Sequence, residues 1–110
     1  MATATRAASG ARVGHGHLKV SDLERSVAFY RDVIGMNVMV NAGDHAAFLS
    51  VDDYHHDLGL NTGNSAGGTP PPAGHTGLFH LAFLFPDRAS LAAVIARVFA
   101  AGHQLTEASD

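Results

Sequence analysis

The sequence predicts an α+β fold: a βαβββ module, a linker, and the opening strand and helix of a second module. Three observations predict it. The first is a repeat. Val13-Gly14-His15-Gly16-His17-Leu18-Lys19-Val20-Ser21-Asp22 returns 65 positions later as Phe79-His80-Leu81-Ala82-Phe83-Leu84-Phe85-Pro86-Asp87, so that His15 maps to His80 and Asp22 to Asp87. The second is periodicity. Each copy alternates like a strand, then changes to helical spacing that stops at a glycine, Gly35 or Gly102. The third is a set of three short strand patterns between Gly35 and Thr62.

Residues 1–12 read as a flexible tail: they lack the continuous apolar stretch of a signal peptide. The first module spans 13–61. Val13–Val20 is its opening strand, with Val13, His15, His17 and Lys19 on one face and Leu18 and Val20 on the other. Gly14 and Gly16 leave room for a neighbouring backbone. Ser21 with Glu24 predicts a capping box, and Asp22, like Asp87, reads as a helix cap. Leu23, Val27, Tyr30 and Ile34 then form one helical stripe. Strands are expected at Met36–Asn41, His45–Val51 and His55–Asn61, separated by Ala42-Gly43-Asp44 and Asp52-Asp53.

Residues 62–77, with Gly67-Gly68 and Pro70-Pro71-Pro72, read as a linker. The second module starts at 78. Leu78–Phe85 is the expected strand, with Phe79, Phe83 and Phe85 opposite His80. Asp87 caps a helix over Arg88–Ala101, whose buried stripe is Leu91, Val94, Ile95 and Val98. His103–Asp110 is enough for one more strand, so this second module reads as truncated at 110. An incomplete sheet leaves strand edges open, and a homodimer or strand-exchanged assembly is expected.

Composition narrows the function classes. A formal charge of −3 with 15% charged residues does not make the basic surface that nucleic acid requires. No apolar run reaches the ~18 residues of a membrane span. The absence of cysteine removes thiolate metal sites and disulfides, and fits a cytoplasmic location. Eight histidines in 110 residues stand out. A histidine at the same position of two repeated strands is how a duplicated motif aims two imidazole ligands at one ion, which nominates His15 and His80. His17 shares the face of His15 about 7 Å along the strand and reads as a pocket-wall residue. His75, beside the proline run, reads as a second pocket residue. His55 and His56, on a strand, point to opposite faces, and alternation alone leaves open which one faces the site.

The run His15-x-x-Leu18-x-Val20-x-Asp22-Leu23-Glu24-Arg25-Ser26-x-Ala28-Phe29-Tyr30-Arg31-Asp32-Val33-Ile34-Gly35 resembles the signature of the vicinal oxygen chelate superfamily, which groups glyoxalases, bleomycin-resistance proteins and extradiol dioxygenases. Tyr54-His55-His56-Asp57-Leu58-Gly59-Leu60-Asn61-Thr62 and Gly74-His75-Thr76-Gly77-Leu78-Phe79-His80 resemble its catechol 2,3-dioxygenase branch. The resemblance runs from about Val13 to Gly102. It implies Fe(II), with Mn(II) or another divalent ion as the alternative, held by His15, His80 and a carboxylate on the last strand of the second module. That carboxylate has no counterpart in this chain. The resemblance also implies a small aromatic diol and dioxygen as substrates, and His56 as the catalytic acid–base. Its other branches imply two rivals, a glyoxalase-like metal isomerase or lyase and a metal-free binding protein.

Overall fold

The computed structural model describes residues 5–106. Residues 1–4 of the expected tail and 107–110 of the expected last strand lie outside the described residues. Four strands form one mixed sheet in the order β1-β4-β3-β2: β1 Gly16–Lys19, β2 Asn37–Ala42, β3 Ala46–Ser50 and β4 Leu58–Asn61. β1 runs parallel to β4, and the other two pairings are antiparallel. β2 and β3 make a hairpin whose Gly43 turns at φ +71, a conformation glycine adopts without strain.

The helix between β1 and β2 starts as α1 (Leu23–Ala28) and continues as a π-helical segment, Phe29–Ile34. Its wider last turn closes on the Tyr30 carbonyl, which accepts from the amides of Gly35 (3.0 Å) and Met36 (2.9 Å). Gly35 then leaves the helix at φ +96. The cap differs from the expected Ser21–Glu24 box. Asp22 is extended, and its carboxylate accepts from the Arg25 amide at 3.0 Å. Ser21 is instead bonded through its hydroxyl to the Arg25 guanidinium.

Why the sheet has two different faces follows from register. Leu18, Leu60 and Ala47 form one row across β1, β4 and β3, and Leu58 pairs with Leu49 in the next. Ala47, Leu49, Leu58 and Leu60 are at most 1% exposed, and with Met36 they form the core. Leu23, Val27, Tyr30 and Ile34 pack on it, as the helical stripe predicts. The residues between them in each strand therefore point to the opposite face.

The second repeat folds only in part as expected. α2 spans Arg88–Ala100, capped by Asp87, whose side chain accepts from the Ser90 amide. Val94 is buried and Ile95 and Val98 are half-buried, but Leu91 is 43% exposed. Leu78–Phe85, expected as a strand, forms none: among the described residues no ladder partner meets its backbone, and extended chain alone gains no interstrand hydrogen bonds. Without a ladder the alternation argument fails there too. Phe83 packs against the core, whereas Phe79 is 95% exposed.

α2 is fastened to the first module by Arg97, which donates to the carbonyls of Val33 (2.8 Å) and Ile34 (3.3 Å) at the end of the first helix. No described helix is long and apolar enough to cross a membrane.

Candidate functional site

The sheet face turned away from α1 carries His17 from β1 and Phe48 from β3, with Gly59 of β4 between them. His17 pairs with Gly59, and Gly59 pairs with Phe48. His15 stands one residue before β1, beside the segment that leads into β4. Its ring lies 4.5 Å from that of His56, centroid to centroid. His56 in turn lies 4.9 Å from Phe48, and His17 meets Phe48 edge-on at 6.0 Å. Three imidazoles and one phenyl ring thus form a continuous cluster. Phe48 was not among the residues singled out from sequence. Its signal was there, because it alternates with the core residues Ala47 and Leu49 and so must face the other way.

His55 and His56 are placed by a bend and not by a strand. β4 begins only at Leu58, so the two rings are not held on opposite faces: their Nδ1 atoms are 3.0 Å apart. Asp57 explains the bend. Its carboxylate accepts from the Ser50 hydroxyl (3.1 Å) and the Val51 amide (3.0 Å), and its own amide donates to Leu49 (2.8 Å). Ser50 is fully buried. These bonds tie the chain just after the histidine pair to the end of β3, leaving no room for a longer ladder. On the outer side, Tyr54 packs on His55 at 4.1 Å and Arg12 lies over the Tyr54 ring at 5.3 Å. An open cleft of about 550 Å³ lies there, between Arg12–Gly14 and Asp52–Tyr54.

The electrostatics of the cluster single out His56. Its half-burial lowers its pKa below 6.5, and the neighbouring His15, His55 and His17 add to the effect, while Asp57 opposes it. An imidazole so placed is neutral near pH 7 and has a nitrogen able to accept a proton.

The remaining nominated residues make other contacts. His80 is exposed, and its ring contact is with Phe79 at 5.2 Å. The neighbouring Leu81 reaches the β1 edge, where its Cδ1 would lie 3.9 Å from a methyl group on Gly16. The room left by Gly16 thus receives a side chain, and not the backbone expected. His75 is exposed in the linker, its amide donating to Pro72. Among the described residues no three His, Cys, Asp or Glu side chains are grouped to hold a metal ion.

Comparison with known proteins bears on both fold and chemistry. The chain is 40% identical over 96 residues to the catechol-2,3-dioxygenase of Bacillus subtilis (strain 168), a match covering 86% of this chain and 34% of that protein. It is 39% identical over 57 residues to the manganese-dependent 2,3-dihydroxybiphenyl 1,2-dioxygenase of Geobacillus genomosp. 3, covering 51% of this chain and 18% of that one. The chain therefore spans about a third or less of these relatives. The crystal structure of lactoylglutathione lyase from Agrobacterium tumefaciens superposes with a TM-score of 0.63 at 22% identity, over 91% of this chain and 77% of that one, and shows the shared fold. A family model matches residues 12–109. With the βαβββ sheet and the repeated histidine motif, that match makes the chain a member of the Glyoxalase/Bleomycin resistance protein/Dioxygenase superfamily.

Proposed function

We propose that this chain carries part of a metal-dependent extradiol ring-cleavage site, of the kind named by its two dioxygenase relatives. The observation that carries the reading is the cluster of His15, His56, His17 and Phe48 on the sheet face away from the helix. In this reading His15 and His80 are the two imidazole ligands of Fe(II), with Mn(II) as the alternative. Nitrogen donors without thiolate suit either ion. In this reading the chain's donor set is two imidazoles. When bound, the metal supplies the centre at which a catechol and dioxygen meet.

The chain's own residues then have separate tasks. His56 takes the proton that a diol hydroxyl gives up on binding, and returns it when the ring opens. In the tautomer this role requires, its Nδ1–H donates to Nδ1 of His55, which leaves Nε2 as the nitrogen that receives the proton. Phe48 and His17 offer flat rings as a wall for an aromatic substrate. His75 belongs to the pocket rim. Catalytic competence needs a carboxylate from outside the residues assigned here, because two neutral imidazoles alone hold iron weakly. A second chain that pairs with the open sheet edge is one source, consistent with the homodimer or strand-exchanged assembly.

The test is anaerobic loading with Fe(II), then titration with a nitrocatechol whose visible spectrum reports ionisation. The reading predicts iron-dependent binding that His15→Ala and His80→Ala each abolish. It also predicts no yellow ring-opened product when the 110-residue chain is given catechol and air. Binding indifferent to iron and to both substitutions would overturn the metal assignment. Yellow product from the isolated chain would overturn the need for an outside carboxylate.

A further inference from the structure

One row of the site face has a missing side chain in its middle. His17, Gly59 and Phe48 lie side by side on β1, β4 and β3. Gly59 is buried and has no positive φ, so backbone conformation does not require glycine there. Close approach does. A methyl group at Gly59 would lie 2.6 Å from Nδ1 of His17, 2.9 Å from Cε1 and 3.1 Å from Cγ. Three ring atoms crowd that one point, so the imidazole lies down on the β4 backbone. From this seat it meets Phe48 edge-on, Phe48 meets His56, and His56 meets His15.

We propose that Gly59 is a positioning residue of this site: its absent side chain seats the His17 ring, which braces Phe48 and, through Phe48, His56. The proposal rests on reading this cluster as the functional site. The competing account is that Gly59 serves packing alone, whatever residue 17 is. The two accounts part when His17 is removed, because the three atoms nearest a methyl group at position 59 then go with its ring.

The experiment compares the chain with Gly59→Ala, His17→Ala and the double variant, free of metal and substrate. It reads the ¹H–¹³C resonances of the Phe48 and His56 rings beside the thermal midpoint. The expected result is that Gly59→Ala moves both sets of ring resonances and lowers the midpoint. In the His17→Ala background the same substitution moves neither. Equal shifts from Gly59→Ala with and without His17 would overturn the proposal. Should Gly59→Ala alone not fold, His17→Ala decides by itself: unmoved Phe48 and His56 resonances would overturn the bracing role. Because no metal enters the measurement, its failure is distinct from a failure of the ring-cleavage reading, which the nitrocatechol titration tests.

Discussion

Arg97 ties the second repeat to the first through hydrogen bonds, and its removal is the most informative stability experiment. The guanidinium donates through Nε to the Val33 carbonyl at 2.8 Å and through Nη2 to the Ile34 carbonyl at 3.3 Å. Both carbonyls belong to the last turn of the first helix, where the backbone dipole is negative and the acceptors lack helical partners. The shorter bond is charge-assisted and well placed, and the longer one is weak. A hydrogen bond to a charged group contributes about 1.5–3 kcal/mol when protected from water, and the exposure of Arg97 reduces the pair to about 1–2 kcal/mol. For a domain of this size that corresponds to a fall in midpoint of about 4–8 °C per kcal/mol. Arg97→Ala is therefore expected to lower the midpoint clearly in a calorimetric scan. Arg97→Lys should recover only part of the loss, since an ammonium cannot present the same two-pronged donor. A midpoint unchanged within about 1 °C in Arg97→Ala, well below that scale, would refute the reasoning.

Two further outcomes follow from the same geometry. Asp57→Ala strips the buried Ser50 hydroxyl and the Val51 amide of their acceptor, and urea unfolding should show a loss of about 1–3 kcal/mol, with Asp57→Asn milder because it retains one carbonyl oxygen. His56, whose folded pKa lies below its unfolded value of 6.5, binds fewer protons folded than unfolded. Its contribution to stability is thus complete above pH 6.5 and is lost as pH falls through the lowered folded value. Subtracting the pH profile of His56→Gln from that of the parent chain should reveal a stability term that declines below about pH 6.5, and a term that rises on acidification would contradict the burial argument.

The parts legible in the sequence were those set by local periodicity. The stripe of Leu23, Val27, Tyr30 and Ile34 and the Asp87 cap behave as their spacing predicts, because helix and cap are decided within a few residues. Likewise Leu58 and Leu60 share one face, as alternation requires, and that face is the core. What failed needed a partner distant in sequence. Leu78–Phe85 has strand composition but no ladder to join among the described residues. His55 and His56 have strand spacing, yet Asp57 bonds back to β3 and shortens β4 from its start. The helix was foreseen, but its π-helical last turn was not, since no residue type announces a carbonyl that accepts from two amides. For the site, His15, His17 and His56 meet as a cluster, whereas the ring contact of His80 is with Phe79 and His75 is exposed in the linker. Phe48 could have been found by asking which large residue alternates with the core.

Convergence of the His15 and His80 imidazoles on one ion is the claim on which the functional account stands. Cobalt(II) in place of iron makes ligand protons visible as strongly displaced NMR signals. The account predicts displaced imidazole N–H signals from two histidines, one set vanishing in His15→Ala and the other in His80→Ala. A cobalt spectrum that His80→Ala leaves unchanged would contradict it.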